Sequence, residues 1–506
     1  MPRWRWLVPP LLAVAGVAAL PLALPALAKS RGVALERAFW CRQGLCFQGI
    51  QRGSITADYA WIEPSRKLVL VRPVLTLGGE GGGGAPAAMP GRVDYFKEVE
   101  VRDARVLGIP FEVPPLSGSV LPERHLEGDQ IRIDGDQVTA SVQSPYGPVT
   151  LQVEKVGSVL VVEATCSPFR YQHPRLSEQA LEMESVHLRG KLNEASFSGE
   201  VESGGVHVEI TLQRPENLEQ GVVEGSFQLP STPVQDLYGL LDSVVPEARR
   251  ATIRGTFSAD GTFRWPLGEG DPEVVMQPNL DDLAVDGLVD GRLIQGSFTF
   301  QARNAAGAPI EVQKGEGSPG WLALSELGDL LPAAVIAAED ASFYRHPGYD
   351  LAGMIAAAEE NQKAGSIRKG GSTLTQQLAK NLFLDGERTY SRKLRELLYA
   401  VELERELGKD RILELYLNVV EWGWDLRGAT AAARIYFLKS PKGLLPEEAA
   451  WMAGILREPK TAWKEQYLPL KPNMRRTQMI LQNMVTLSAD TRAAALGREV
   501  HLVPPE

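Results

Sequence analysis

Three cysteines and six histidines are scattered through 506 residues, without the spacing that a metal site would need. Cys41 and Cys46 stand close enough for a small disulfide loop, with Cys166 left over. Such a loop would form only outside the cytoplasm, and two cysteines alone do not establish it. Excess positive charge is also missing. The net charge is −10, which excludes general nucleic-acid binding with its basic footprint. An anionic ligand must therefore meet a local patch of opposite sign. What is present is ordinary for a globular protein, with 44% apolar and 23% charged residues. The length leaves room for two or three domains that each bury a core.

Arg3 and Arg5 precede an uncharged run from Leu7 to Ala28, 22 residues long. A bilayer needs about 20. Ala26-Leu27-Ala28 also reads as a signal-peptidase site, and Pro21 and Pro25 interrupt the helix before it. A retained anchor over residues 1–30 in the cytoplasmic membrane is the expectation, with a cleaved signal as the open alternative. Either places the bulk of the chain outside the cytoplasm, in the periplasm.

From 31 to 320 the pattern is that of strands. "KLVLVRPVLTL" (67–77) is apolar and β-branched, and "VHVEITL" (206–212) puts Val206, Val208, Ile210 and Leu212 on one face. "LRGKLNEASFSGEV", "IRGTFSADGTFRW" and "GRLIQGSFTFQAR" read as strand pairs of an antiparallel meander. "LGGEGGGGAPAAMPG" (77–91) reads as a flexible linker. One helix interrupts the strands, with Thr232 as N-cap and Pro233 in the first turn of "STPVQDLYGLLDSVV". After "KGEGSPG" (314–320) the period lengthens to between three and four, and helix follows helix from Leu322 to about Val485. Ser391 can cap a helix ended by Gly408, and Asp410 the next. The expected class is α+β and multidomain: an antiparallel β-rich region of unknown role over 31–320, then an all-α domain over 321–506.

Three stretches of the helical part carry chemistry. In "AAEDASFYRHPGYD" (337–350), Glu339 and Asp340 end an apolar run, where burial raises a carboxylate pKa; the plain alternative is a polar helix end. In "RKGGSTLTQQLAKNLFL" (368–384), Gly370-Gly371-Ser372-Thr373 opens a helix whose free N–H groups favour an anion. Eight basic residues against Asp385 and Glu387 make 363–395 locally +6; the plain alternative is a solvated face. In "SRKLRELLYAVELERELGK" (391–409), Glu396 stands four residues from Arg392 and three from Lys393, the spacing of a salt-bridged helix. Beside an anion-seeking patch it can also set the aim of a cation cluster.

Five blocks in order resemble the peptidoglycan glycosyltransferases of glycosyltransferase family 51. They are Glu339-Asp340-x-x-Phe343-x-x-His346-x-Gly348, Gly371-Ser372-Thr373-x-Thr375-Gln376-Gln377-x-x-Lys380-Asn381, Arg392-Lys393-x-x-Glu396, "KDRILELYLNVVEWGWDLRGATAAARIYF" (409–437) and "LPEEAAWMAGILREP" (445–459). The resemblance covers about a third of the chain and does not extend to 31–320. It implies a lysozyme-like helical body with a membrane-facing lobe, and lipid II and the growing glycan chain as substrates. It also implies inversion at the sugar, loss of undecaprenyl pyrophosphate, and admits a divalent cation, Mg or Mn, of unknown ligands.

The residues ask for the same parts. A hydroxyl nucleophile wants a general base poised by burial, and Glu339 is the candidate. A pyrophosphate leaving group wants fixed positive charge. Lys380, Arg392 and Lys393 suit that role, with Ser372, Thr373, Gln376 and Asn381 positioning. Glu396 matches the family's second acidic residue, which orients the donor side or a metal. Asp340 reads as a helix-end group. His346 is either a ligand-facing donor or a structural imidazole, and Trp422 and Trp424 read as core or membrane-interface residues.

Two rival functions are a lysozyme-like glycan-cleaving enzyme and a non-catalytic envelope scaffold. A hydrolase needs no pyrophosphate cradle, and a retired site has no reason to keep both carboxylates and every cation. Ser366-Ile-Arg-Lys369 spells S-x-x-K inside the transferase block, and Lys460-Thr461-Ala462 is not its Lys-Thr-Gly partner. The chain ends 47 residues past Pro459, so a monofunctional enzyme is expected. The β-rich region is expected to dock an envelope protein or glycan, and 322–506 to fold without it.

Overall fold

The computed structural model describes residues 34–505, except 42–43, 53–54, 63–66, 77–97, 108–115, 122–124, 128–130, 135–136, 145, 158, 194–195, 214–221, 267–272, 292–295, 305, 365–369 and 385–388. The expected anchor, the glycine-rich linker, the S-x-x-K tetrad and Lys363, Arg368, Lys369 and Arg388 of the basic run lie outside the described residues or side chains. So do the side chains of Cys41 and Cys46. Among the described residues no helix is long and apolar enough to cross a bilayer. The chain forms two compact units. One gathers Val245–Gly255 with Asp282–Glu506; the other holds the preceding chain up to Val244 with Thr256–Asp281.

The β-rich unit is built on one long sheet whose sequence neighbours pair, with one exception among the described residues, in antiparallel ladders. Thus Leu192 faces Phe197 across one hairpin, and Ser203 faces Val206 across the next. Its polarity follows the pleat: along Val206–Gln213, Val206 and Ile210 are buried while His207 and Glu209 are exposed. Two expectations are corrected. Lys67–Thr76 and Glu98–Leu107 pair in parallel, which no tight hairpin can connect. "IRGTFSADGTFRW" is no hairpin but part of a single strand, Thr252–Pro266. Asp260-Gly261 stays in register opposite Gln228 and Phe227. The glycine serves close approach instead of a turn, since a Cβ there would meet Val275 O at 2.4 Å and the Phe227 ring at 2.8 Å. The interrupting helix α1 is short, Val234–Gly239, and Thr232 does not cap it; its hydroxyl donates to Pro230 O.

The second unit is helical: α2 (Leu324–Leu327), α3 (Leu330–Glu339), α4 (Leu351–Ala364), α5 (Leu374–Phe383), α6 (Tyr390–Leu407), α7 (Lys409–Val419), α8 (Ala429–Phe437), α9 (Pro446–Ile455), α10 (Pro459–Ala462), α11 (Met474–Asn483) and α12 (Ala489–Leu496). It is not all helix. Phe298–Arg303 pairs with Pro309–Lys314, and Glu421–Gly423 with Leu426–Arg427. Thr389, not Ser391, caps α6 by accepting from Arg392 N–H, because its side chain stands outside the first turn. Gly408, in the left-handed region at φ 74°, ends α6 and opens α7, leaving Asp410 inside the first turn. Trp422, Trp451, Tyr416, Tyr436 and Phe343 are fully buried at the centre, each contributing about 1.5–3 kcal/mol of apolar burial. Tyr436 meets Trp451 edge to face at 5.0 Å. Phe300, from the strand ladder before α2, belongs to the same core.

Candidate active site

Glu339 closes α3 with its carboxylate half-buried. Gln377 on α5 donates from Nε2 to Glu339 Oε2 at 3.1 Å, and Arg476 on α11 approaches Oε1 at 3.3 Å. Burial is the largest influence and raises the Glu339 pKa; the Gln377 hydrogen bond and then Arg476, Arg457 and Lys380 pull it back without cancelling the rise. A carboxylate held this way keeps an elevated proton affinity while facing cations.

Asp340 faces the other way. His346 Nε2 lies 3.1 and 3.0 Å from its two oxygens, and the Leu374 N–H donates to Oδ2 at 2.9 Å. His346 Nδ1 accepts from Gly348 N–H at 3.2 Å, so both ring nitrogens are engaged and the imidazole is structural. The pair ties the end of α3 to the start of α5. Three of the N–H groups at that start are already taken. Leu374 N–H is taken by Asp340, Gln376 N–H by the Thr373 hydroxyl at 3.1 Å, and Thr373 N–H by Gln376 Oε1 at 3.0 Å. Thr373 also donates to Gly348 O at 2.6 Å. Thr373 and Gln376 are therefore buried and committed to a capping box. Asn381 donates to Gln377 O within its own helix at 2.8 Å.

The cations cluster on α6 around Glu396, which is only 1% exposed. Arg392 pairs with Glu396 Oε1, and Lys393 Nζ lies 2.6 Å from Oε2 and 2.6 Å from the Ser372 hydroxyl. A buried carboxylate thus holds two cations in fixed directions, and Ser372 holds one of them toward α5. Lys380, in the last turn of α5, has an exposed side chain whose ammonium is crowded by the surrounding protein. This loss of hydration comes first in lowering its pKa; Glu396 opposes it, Arg392 and Lys393 add to it, and Glu339 opposes it. Helix α5 links the two halves of the candidate site, since its Gln377 donates to Glu339 and Ser372, just before its start, receives Lys393.

Glu396 does not suit a resident divalent cation, because both its oxygens are already paired. Among the described residues no three His, Cys, Asp or Glu side chains converge as a metal site. Trp422 is core, donating to Leu417 O at 3.4 Å, whereas Trp424 is exposed under Lys464. Gln377, Tyr416, Arg457 and Arg476 carry roles the sequence did not assign. Gln377 was visible inside its motif; Arg476 stands 137 residues from Glu339 and carries no local signal.

A family model described as Transglycosylase matches residues 307–485. The biosynthetic peptidoglycan transglycosylase of Thiobacillus denitrificans is 44% identical over 164 residues, 32% of this chain and 70% of the relative. That of Alcanivorax borkumensis is 50% identical over 139 residues, 28% of this chain and 57% of the relative. The crystal structure of penicillin-binding protein 1A from Haemophilus influenzae is 20% identical with a TM-score of 0.22, covering 42% of this chain and 22% of that one, a likeness too low to speak for the fold. The motif blocks, their assembly around Glu339 and Glu396, and the extent of these matches lead to one statement: the chain belongs to the biosynthetic peptidoglycan transglycosylases, a family of peptidoglycan glycosyltransferases.

Proposed function

We propose that the helical unit polymerises lipid II into glycan strands at the outer face of the cytoplasmic membrane, with a lysozyme-like arrangement of its helices. The 4-hydroxyl of the incoming lipid II attacks the anomeric carbon of the growing chain. Glu339 takes the hydroxyl proton as the new C–O bond forms, and its raised proton affinity suits it to that work. The anomeric C–O bond to phosphate breaks with its electron pair passing to undecaprenyl pyrophosphate, and the anomeric centre inverts. Arg392 and Lys393, aimed by Glu396, and Lys380 meet the charge that develops on the leaving group. No step is routed through a metal.

The observation that carries this reading is that α5 joins the two groups, since its Gln377 donates to Glu339 while Ser372, just before its start, receives Lys393 of the Glu396 cluster; a base and an anion cradle thus share one site. A hydrolase would need the first without the second. The test is incubation of the full chain with labelled lipid II, with and without divalent cation, scoring glycan length and released lipid pyrophosphate. Polymer with matching pyrophosphate release is expected. Solubilisation of finished wall without polymer would mark a glycan-cleaving enzyme instead.

A further inference from the structure

Helix α6 carries the cradle on one stripe and is gripped along another. Arg392, Lys393 and Glu396 form the first. Arg395, Tyr399 and Glu402 form the second, roughly a quarter turn away at 3.6 residues per turn. The second stripe meets two segments of the same compact unit that lie outside the residues matched by the family model.

The first segment supplies Glu247, a carboxylate only 2% exposed. Arg395 Nε donates to its two oxygens at 3.0 and 2.9 Å, and the Tyr399 hydroxyl lies 3.3 Å away. Arg250 Nη2 donates to that hydroxyl at 2.8 Å. The second segment supplies backbone: Gly287 N–H and Leu288 N–H each donate at 2.9 Å to Glu402, which is 1% exposed. Asp286 adds ion pairs to Arg405 and Arg254. Tyr399 also stacks on Phe383 at the end of α5, with ring centroids 4.6 Å apart. Charge-assisted hydrogen bonds of this kind are short and directional, and water does not readily replace them when they are buried.

We propose that this clamp is a positioning device for the donor pyrophosphate: Glu247 and the Gly287 and Leu288 amides fix the rotation of α6 about its axis, and so the direction in which Arg392 and Lys393 present their charge. The pairs of Arg392 and Lys393 with Glu396 cannot do this, because they lie within α6 and turn with it. A rotation of about 10° moves an atom ~6 Å from the axis by ~1 Å, and a misplacement of ~1 Å costs a reaction about 100-fold. The inference rests on reading Arg392 and Lys393 as the pyrophosphate cradle.

The test uses the full chain with Glu247→Gln and Tyr399→Phe. Three quantities are read well below the unfolding temperature: the affinity for a phosphoglycolipid donor mimic, the split between KM and kcat for lipid II, and amide hydrogen exchange along 390–407. The expected result for Glu247→Gln is a loss of donor-mimic affinity of about tenfold or more, with faster exchange in α6. Tyr399→Phe, which keeps the ring on Phe383, is expected to move both readouts the same way by less. A purely structural role would lower kcat with the active fraction and leave the affinity of the folded protein unchanged. That result, or unaltered exchange, overturns the proposal. Should Glu247→Gln fail to fold, Tyr399→Phe decides by the same readouts. A parent chain that fails to bind the donor mimic sinks the cradle reading, while α6 exchange still judges the clamp.

Discussion

Gln377 and Glu339 meet at 3.1 Å with the amide as donor, and the orientation of that amide is set from behind, where the Tyr416 hydroxyl donates to Gln377 Oε1 at 3.0 Å. The amide nitrogen therefore faces the carboxylate. Tyr416 is fully buried and its pKa is pushed far up, chiefly by burial and then by Glu339 and Asp340, so it remains a donor throughout the working range. The chain Tyr416–Gln377–Glu339 holds the proposed base in place and moderates the effect of its burial.

Removing that moderation is expected to move the base. In Gln377→Leu the stabilising donation to the ionised carboxylate is lost while burial remains, so the Glu339 pKa rises further. The base works deprotonated, so the acid limb of the kcat/KM profile for lipid II should shift to higher pH. Arg476→Met is expected to shift it the same way by less. A limb that stays in place in both variants would assign the titration to another group.

Glu339→Gln keeps the shape and loses the basicity, so polymerisation should fall by about 10²–10⁴-fold with the fold intact. The same variant carries a stability signature. Below the unfolded-state pKa both forms of the parent are protonated and the burial of Glu339 costs nothing extra. As pH rises the unfolded chain ionises first, so the parent loses stability until the raised folded pKa is passed. Glutamine escapes that loss. Thermal unfolding should therefore show Glu339→Gln more stable than the parent at neutral pH, with the advantage fading toward acid. Near-parent polymerisation would remove Glu339 from the role of base.

Lys393 and Arg392 are expected to separate by stability while agreeing in function. Lys393 is half-exposed, and Lys393→Ala leaves Glu396 paired with Arg392. Arg392→Ala takes the more buried partner from a carboxylate that is 1% exposed and leaves it only the half-exposed Lys393, a greater loss than removing the exposed partner. Calorimetry should show the larger fall in Tm for Arg392→Ala, and both variants should weaken phosphoglycolipid binding and turnover. Parent-like inhibitor affinity in folded Lys393→Ala would take that lysine out of the cradle.

A chain cut to Leu322–Glu506 is expected to aggregate or to lose cooperative unfolding, contrary to the reading of the sequence alone. The cut removes Phe300 from the core, along with Leu288, Val289, Phe298, Val312 and Trp321 that pack against it. Each large apolar side chain is worth about 1.5–3 kcal/mol on burial. It also removes Glu247 and the two amides that satisfy Glu402. Circular dichroism melting of the fragment checks this, and a sharp two-state transition near that of the full chain would show that the removed segments add little.

The sequence by itself determined the helical character of the second half, which is written in local spacing, and its family, which is carried by five motif blocks in order. The i, i+4 and i, i+3 offsets that place Arg392 and Lys393 on Glu396 are properties of one helix. The alternation of Val206 to Leu212 is likewise a property of one strand. Short-range geometry also misled where two local solutions compete. Asp260-Gly261 reads as a turn until Phe227 and Val275 from neighbouring strands press on the glycine, and Thr373 and Gln376 read as ligand-facing until they are seen closing a capping box. Only the tertiary structure decided what surrounds Glu339 and what grips α6. Arg476 reaches Glu339 across 137 residues, and Glu247 reaches Arg395 across 148. Contacts at that separation depend on the closure of long loops, and their cost and gain are settled by the packing of the whole unit, which no local pattern encodes.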